Sequence, residues 1–499
     1  MYSKPAALLA ACLSTAAAMP AKADDISAAQ AGALQTQMQS WLQNMLGPDT
    51  LLAGRTVQVR PEGDHYRIEL PLGTPRAGQP SPVTLSASAR PAEGGRWTFE
   101  GPDLPSPARF TLDMPAPAKN GKAPGPAVPV EYTITTGSQD SRGTYDPSFA
   151  APSTLTTNAR EVQVRAQSAS TDQLTRIEQS SSTSTLRPSG SNRVDFMGEG
   201  TVEGYTSTSW FQDGQSVELS GQHAQATVGI TALSRDRAAT MLPAVARVAS
   251  GLLAGAPGSG GAPAIRPLVD PQLLRTILQS LQDLASEFTL SETFDGVAFR
   301  SGTTSGAMNQ ARVGMGAKSE AGLLQAYMDL GLDGLVLPGA MADLVPRRVA
   351  LRPVLTGVPT EELIRWLGAT ADAKNGARPA GFATLLRRVG VSAGLDSFAL
   401  DIGSTSLAGT GRLTVLSSDD LTGQAQITAS NFDDLIARVN AVPDLAGVLP
   451  LFVFAKGISQ TVEGRLVWNL AYRDNKLLVN GTDLSAMMGR PSAQGPKSR

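Results

Sequence analysis

Histidine supplies most general bases and many metal ligands in proteins, and this chain has only two histidines, His65 and His223. Both fall on the polar side of alternating segments that are predicted to be strands. His223 alternates with an apolar set that is predicted to face inward, namely Ala224, Ala226, Val228 and Ile230. Neither histidine has a second ligand or a carboxylate at the spacing of a known motif. A structural or exposed role is favoured for both, and we predict no metal site.

Other catalytic motifs give equally little support for an enzyme. The S-x-x-K motif and the G-x-x-x-x-G-K-[ST] phosphate loop do not occur in the sequence. The Gly-rich pieces 198–200 and 409–411 lack the full dinucleotide fingerprint and lie between strand-like segments, which is typical of bulges. The Ser-rich stretch 179–185 is more simply exposed strand or loop. We therefore predict a non-enzymatic protein with no catalytic residue and no cofactor; a hydrolase without a known motif is the enzymatic alternative.

Two acidic pairs, Glu361-Glu362 and Asp433-Asp434, could act as paired carboxylates in acid–base chemistry or bind a calcium ion. Both pairs lie in the first turn of a predicted helix, where carboxylates complement the free backbone N–H groups and the positive end of the helix dipole. Adjacent residues on a helix point about 100° apart, which poorly suits joint action on one substrate atom. The pairs are therefore predicted to stabilise helix starts.

One segment, 443–456, is unusually apolar and precedes a well-patterned strand at 465–472. Its apolar residues are Leu445, Val448, Leu449, Leu451, Phe452, Val453 and Phe454. The simplest interpretation is a helix buried in the core. The functional alternative is a wall of an apolar ligand groove or a patch that faces a membrane.

The elements that would position these groups follow an N-terminal targeting segment. Lys4, the mainly apolar stretch 5–19 and Ala21-Lys-Ala23 have the order of a secretory signal peptide, which predicts cleavage after residue 23 and a periplasmic protein. A competing interpretation is a lipobox at Leu9-Ala-Ala-Cys12, which would make Cys12 a lipid-anchored first residue. Cys12 is the single cysteine, so cleavage after residue 23 leaves no possible disulfide.

Charge and hydropathy restrict the partners of the mature chain. Removing Lys4 and Lys22 lowers Lys plus Arg from 42 to 40, against 44 Asp plus Glu. An acidic balance of this kind lacks the basic footprint of a nucleic-acid-binding protein. The longest later apolar run, 448–455, is under half of the ~18 residues that span a bilayer. We expect no nucleic-acid partner and at most peripheral membrane contact.

The predicted fold class is α+β, with extended, twisted, mainly antiparallel sheets and amphipathic helices packed on one side. The predicted segments are a signal peptide (1–23), an N-terminal helix (24–47), a small β module (48–150), a β meander plus helix (151–254), a Gly/Pro linker (255–267), an α+β repeat region (268–489) and a disordered tail (490–499). The linker is taken as the main boundary.

Apolar spacing supports the individual elements. A three- and four-residue spacing predicts helices over 26–46 and 270–288. In the β module a period of two places Tyr66, Ile68 and Leu70 on one side of a strand. The segment 115–129 is rich in Pro and Gly and predicts a loop, and 235–254 predicts a further helix.

The C-terminal half contains a degenerate repeat of a strand that runs directly into an amphipathic helix. Segments 356–369 and 428–441 align without a gap, with Thr, Leu, Ile and the final Ala identical and the acidic pair kept. Looser copies are assigned to 313–330 and 478–488. Each strand and helix cannot bury its apolar face alone, so neighbouring copies are predicted to stack into one core.

Three packing motifs carry a resemblance to a known family. Asn431-Phe-Asp-Asp-Leu-Ile-Ala-Arg-Val-Asn440, the following Leu-Pro-Leu-Phe-Val-Phe-Ala-Lys-Gly457 and Leu477-Leu-Val-Asn-Gly-Thr-Asp-Leu484 look like a family of exported proteins of Gram-negative bacteria known as a domain of unknown function. This resemblance covers roughly 196–488. More distantly, sheet hairpins that end in a helix resemble the AsmA-like envelope proteins.

The resemblance implies a function but no site residues, since no catalytic residues are assigned in that family. AsmA-like proteins are thought to handle phospholipid or outer-membrane assembly, often through a long open sheet with an apolar concave face. An N-terminal membrane anchor of their kind is not predicted in this chain, which leaves a bridging role between membranes in doubt. We expect a periplasmic protein that binds a lipid-like ligand or supports envelope assembly; the alternative is a protein-interaction or structural factor of the envelope.

Overall fold

The computed structural model describes residues 26–46, 56–72, 83–114, 128–146, 151–238, 283–339, 342–372, 390–417 and 420–485. The described chain is mostly antiparallel strand with a few helices, so the β-rich character expected from the sequence is confirmed. It divides into two compact units. Unit 1 is Met1–Phe288 with Phe299–Thr303, and unit 2 is Thr289–Ala298 with Thr304–Arg499.

Unit 1 begins with helix α1 (Ala28–Leu46) and continues as strands. The strands are β1 (Gln58–Glu62), β2 (His65–Leu72), β3 (Val83–Pro91), β4 (Trp97–Asp103), β5 (Ala108–Met114), β6 (Val128–Thr135), β7 (Ser138–Asp146), β8 (Ala151–Gln167), β9 (Thr171–Gly190), β10 (Arg193–Phe211) and β11 (Ser216–Ser234). A short 3-10 turn, Glu93–Gly95, precedes β4.

The strands of unit 1 pair antiparallel, and two pairings join strands that are distant in the chain. β1 to β4 pair in sequence, but β4 then pairs with β7, and β7 pairs with β8. The far end of β8 pairs with β6, which in turn pairs with β5. β8 to β11 are much longer than the earlier strands and form a four-stranded ribbon.

The core of unit 1 lies between α1 and the first strands. Tyr66, Ile68 and Leu70 are buried, which confirms the predicted alternation in β2. Ala31, Leu34 and Met38 of α1 belong to the same cluster. Ser27 accepts a hydrogen bond from the Gln30 backbone N–H, the contact expected of a residue that caps a helix start.

Two glutamines of α1 cover the edge of β1. The amide oxygens of Gln39 and Gln35 accept hydrogen bonds from the backbone N–H groups of Val57 and Val59, at 2.8 and 3.3 Å. An exposed strand edge would otherwise present these donors to water or to another chain. The N-terminal helix is therefore part of the sheet's edge as well as part of the core.

Unit 2 is built from strands β12 (Glu287–Ser301, shared with unit 1) to β22. The others are β13 (Thr304–Glu320), β14 (Leu323–Asp333), β15 (Arg348–Pro359), β16 (Ser392–Ile402), β17 (Thr405–Ser417), β18 (Asp420–Ser430), β19 (Gln460–Val462), β20 (Arg465–Arg473), β21 (Lys476–Val479) and β22 (Thr482–Asp483). The helices are α2 (Thr360–Asp372), α3 (Phe432–Asn440) and α4 (Leu449–Gly457), with 3-10 turns Ala342–Leu344 and Pro443–Val448.

The sheet of unit 2 follows the chain. From β13 to β18 each strand pairs antiparallel with the next, and β18 then pairs with β20, β20 with β21 and β21 with β22. β19 pairs with the start of β20. β15 runs into α2, and a single residue, Asn431, separates β18 from α3.

In the described residues one predicted helix is wrong, and a second is wrong over its last residues. The segment 313–330 is a hairpin rather than a strand and a helix, because Ala321 and Gly322 both take positive φ angles and form a tight turn between β13 and β14. The helix predicted over 270–288 does not extend over 283–288, since β12 begins at Glu287 and the backbone N–H of Ser286 donates to the Thr231 carbonyl.

Several other predicted segments lie outside the described residues. They are the signal peptide 1–23 with Cys12, the loop over 115–127, the helical stretch 239–254, the linker 255–267, the helix 270–282 and the tail 490–499. At the end of the predicted loop, β6 already begins at Val128. In the looser copy 478–488, β21 and β22 are strands and residues 486–488 are not described.

Candidate functional site

The most extensive candidate surface is one face of the unit 2 sheet. Alternate residues of its strands are apolar, and the register of the strand pairing places them on the same side of neighbouring strands. One row across seven strands is Val313, Leu330, Leu351, Phe398, Gly409, Ile427 and Trp468. The next row is Ala311, Leu332, Val349, Leu400, Leu407, Ala429 and Leu466. We call this side the apolar face of unit 2.

The opposite side of the same strands is polar and charged. Arg312 donates a hydrogen bond to Asp329 at 3.2 Å across β13 and β14, and Arg352 lies 3.9 Å from the same carboxylate. The Arg352 guanidinium also lies over the Tyr327 ring, 4.4 Å from its centroid. Arg412 pairs with Asp396 further along the sheet. The sheet therefore has one polar side and one side whose side chains are suited to contact with hydrocarbon chains.

Exposure on the apolar face is uneven. At the β13–β14 side Val313, Met315 and Met328 are exposed, with Met315 directly opposite Met328. Leu413 at the far end of β17 is exposed as well. At the β18–β20 side Ala429 and Trp468 are buried. An apolar surface is thus covered at one end and accessible at the other.

The covered end is closed by α3 and α4. The Phe432 ring meets Trp468 edge-on with centroids 5.6 Å apart, and Phe452 lies 6.1 Å from Phe432. The indole N–H of Trp468 donates to the Ala455 carbonyl at 2.7 Å, which fixes α4 to the sheet. Leu435 and Val439 of α3 complete this cluster.

Asn480 ties the last turn of the sheet to the same region. It takes a positive φ of 50°, and its side-chain amide donates to the carbonyls of Ile458 and Val467 at 2.9 and 3.0 Å. Its amide oxygen accepts the backbone N–H of Asn469. One side chain thus binds the backbone of Ile458, Val467 and Asn469. The segments 431–440, 449–457 and 477–484 therefore have a structural role at the covered end.

The acidic pairs lie where the sequence predicted them, in the first turns of α2 and α3. In α3 the two carboxylates have separate partners. Asp433 pairs with Lys456 of α4, and Asp434 accepts hydrogen bonds from Arg438 at 2.7 Å and from the Ser404 hydroxyl at 2.8 Å. They hold α3 to α4 and to the β16–β17 turn, so joint action on one substrate atom has no support here.

The Arg438 guanidinium and the Ser404 hydroxyl beside Asp434 hold the pKa of that carboxyl below its ordinary value. A depressed carboxyl pKa stabilises the fold at neutral pH, and this contribution is lost as the pH falls through the folded-state pKa. We expect Asp434→Asn to lower the free energy of unfolding at about pH 7 and the gap from wild type to narrow toward about pH 3. Urea unfolding across this range measures it; a gap independent of pH would contradict the assignment.

The apolar segment 443–456 is not a fully buried helix, so its simplest interpretation from sequence is wrong. It forms a 3-10 turn and α4, and only one side faces the core, through Leu445, Leu449 and Phe452. Leu451, Val453 and Phe454 point outward and are exposed. Sequence periodicity could not predict which side of α4 is exposed, because both sides of the helix are apolar.

The histidines do not meet at a site in unit 1. His65 has a partner that the sequence reasoning missed, since its Nδ1 lies 3.0 Å from the neighbouring Asp64 carboxylate, which also faces Arg90 at 3.3 Å. His223 lies opposite Glu203 on β10. The alternating residues Ala224, Ala226, Val228 and Ile230 lie opposite Val202, Gly200, Gly198 and Phe196 of β10. Within the described ranges, no group of three potential metal ligands comes together.

One G-x-S-x-G sequence occurs, Gly390-Val-Ser-Ala-Gly394, and the structure gives it no nucleophile geometry. Such an elbow needs a strand-to-helix turn that exposes the serine. Here a turn leads into β16, and Ser392 is buried on the strand with its hydroxyl 2.7 Å from the Thr414 hydroxyl. Thr414 is not a base, so this serine is a structural residue.

Comparisons with family models, with curated proteins and with solved structures gave no match to this chain. Among the described helices, none combines the length and the hydropathy required to cross a membrane.

Proposed function

We propose that this is a non-enzymatic protein of the periplasm that binds a lipid-like apolar ligand on the apolar face of unit 2. A role in outer-membrane assembly would follow from handling such a ligand. The proposal also takes the strand–helix unit seen at β15–α2 and β18–α3 to be a true repeat that generates a one-sided apolar sheet.

The observation that carries the proposal is the partial cover of that face. Side chains such as Met315 and Met328 stay exposed beside a row that continues to the buried Trp468. Leaving large apolar side chains in water costs roughly 25 cal/mol per Å² of apolar surface, so an acyl chain laid along the row would be stabilised. Methionine side chains adapt to varied shapes, which suits chains of different length and saturation.

The test is native mass spectrometry with lipid extraction on the protein purified from the periplasm under gentle conditions. The expected result is stoichiometric phospholipid or fatty acid on the wild type. Met315→Glu with Met328→Glu places two charges on the exposed part of the face, and we expect the bound fraction to fall by about tenfold or more.

A matched control is available on the opposite side of β14. Leu323 is 44% exposed and Met328 41%, but Leu323 lies on the polar side of the strand. Leu323→Glu should leave the bound lipid unchanged. A wild-type protein without any bound lipid would overturn the proposal and favour the protein-interaction alternative, for which crosslinking in cells would recover a specific partner.

A further inference from the structure

A cavity of about 310 Å³ lies on the polar side of the first strands of unit 1. The register of the strand pairing runs one row of side chains through it, with Glu69 of β2 opposite Ser86 of β3 and Ser86 opposite Asp103 of β4. Arg67 and Thr84 line the cavity on either side of this row. The volume is at the lower end of the range that small-molecule sites occupy, roughly 300 to 1,000 Å³.

A bulge in β4 brings Asp103 to this cavity. Trp97 and Phe99 of β4 face the core of unit 1, and regular alternation would place Asp103 on that same side. Gly101 takes a positive φ of 98°, and the pairing with β3 shifts by one residue here, which turns Asp103 toward Ser86 on the polar side. Bulges of this kind re-aim side chains next to functional sites. The bulge therefore presents to the cavity a carboxylate that a regular strand would bury.

Two residues of the lining are fixed by ion pairs. One oxygen of Glu69, Oε1, accepts hydrogen bonds from Arg60 at 2.7 Å and from Arg67 at 2.9 Å. The two guanidinium groups offset the charge of this carboxylate, whose side chain is only 17% exposed. Arg67 and Glu69 therefore form a wall whose geometry is set before any ligand binds.

The remaining polar groups of the lining have no such partners. Among the residues that the structure describes, none forms a hydrogen bond or an ion pair with the side chain of Thr84, Ser86 or Asp103. Two hydroxyls and one carboxylate therefore converge on the cavity with their hydrogen-bonding capacity unused. Convergent polar groups in a preformed cavity are typical of a small-molecule site.

The chemistry of the lining indicates the class of ligand. Leu104 and Pro105 contribute a carbon surface beside the polar groups. A carboxylate accepts hydrogen bonds and can take two from neighbouring hydroxyls, whereas the Ser86 and Thr84 hydroxyls both donate and accept. An anionic ligand would be repelled by the Asp103 carboxylate, and an alkyl chain would leave the polar groups unpaired. A sugar ring, which carries several hydroxyls on a carbon frame, matches both parts of the lining.

We propose that this cavity binds a pyranose ring of a glycan, with the Asp103 carboxylate accepting hydrogen bonds from two neighbouring hydroxyls of the ring. The inference concerns unit 1 and does not depend on the lipid ligand proposed for unit 2. The test is saturation-transfer NMR and titration of the full chain with glucose, galactose, mannose, N-acetylglucosamine, lactose, cellobiose and chitobiose. We expect at least one of these sugars to bind with a Kd of about 1 mM or lower.

Asp103→Asn should raise the Kd for that sugar by about tenfold or more, because an amide replaces one acceptor of the charged group by a donor. Ser86→Ala should raise the Kd by about three- to fivefold. Neither side chain has a partner in the described fold, so both variants should unfold at the same urea concentration as the wild type. The matched control is Glu100→Gln on the same strand, since Glu100 is exposed, lies outside the lining and faces Arg90 at 3.7 Å. This control should bind the sugar as the wild type does.

Three results would overturn the proposal. The first is a wild-type protein that binds none of these sugars, and the second is an Asp103→Asn variant that binds with wild-type affinity. The third is tighter binding of a diamine such as putrescine than of any sugar, because the cavity would then be a site for cations. Sugar binding and bound lipid are measured separately, so either proposal can fail while the other stands.

Discussion

Trp468→Ala is expected to lower the free energy of unfolding of unit 2 by about 3 to 5 kcal/mol. Trp468 is 7% exposed and joins three elements, since its ring meets Phe432 of α3 and its N–H holds the Ala455 carbonyl of α4. Truncation removes the ring contacts, opens a cavity and leaves a backbone carbonyl without its donor. Urea unfolding followed by far-ultraviolet circular dichroism measures the loss.

Trp468→Phe separates the two contributions. The smaller ring keeps much of the apolar contact but cannot donate to the Ala455 carbonyl, so a loss of about 1 to 2 kcal/mol is expected. Val336→Glu serves as a surface control in the same unit and should change stability by less than about 0.5 kcal/mol. If Trp468→Ala changed the free energy of unfolding as little as this control, the stability of the covered end would not depend on the contact with α4.

Tyr66→Ala is expected to destabilise unit 1 by a similar amount, about 3 to 5 kcal/mol. Tyr66 is fully buried in β2, and its ring lies 5.7 Å from that of Trp97. Its hydroxyl donates to the Gln30 amide oxygen at 2.6 Å and accepts the Ser27 backbone N–H at 3.0 Å. One side chain therefore links α1 to the sheet by packing and by hydrogen bonds.

The Tyr66→Phe variant measures the contribution of the hydroxyl to the free energy of unfolding. Both hydrogen bonds to α1 disappear while the ring stays, and we expect a loss of about 1 to 3 kcal/mol together with faster hydrogen exchange in α1. Thermal unfolding and hydrogen exchange of the two variants give the comparison. An unchanged exchange rate in α1 would mean that the helix is held by its apolar side alone.

Local pattern was enough to predict the elements whose two sides differ. The alternation at Tyr66, Ile68 and Leu70 and the acidic first turns at Glu361 and Asp433 were both found where expected. In each case the position of the side chain on its element depends only on its own strand or helix turn. A single sequence contains that information directly.

The errors came from positions that depend on a turn or on a distant partner. In 313–330 the apolar spacing fits a helix as well as a strand, and the two positive φ angles at Ala321 and Gly322 decide for a hairpin. α4 is apolar on all sides, so its sequence does not indicate which side faces the core. That side is determined by Trp468, which only the strand pairing brings next to α4. The pairings of β4 with β7 and of β6 with β8 leave no local pattern at all.

The order in which strands pair within each unit has a consequence for how the protein reaches its native state. In unit 2 each strand from β13 to β18 pairs with its immediate successor, so the sheet can grow in the order of the chain, even across the long connection between β15, which ends at Pro359, and β16, which begins at Ser392. Unit 1 must instead bring β7 back to β4 and β8 to β6 before its core closes. β4 and β6 therefore each keep one free edge until β7 and β8 are available, and these unpaired edges are the ones that a chaperone would have to protect.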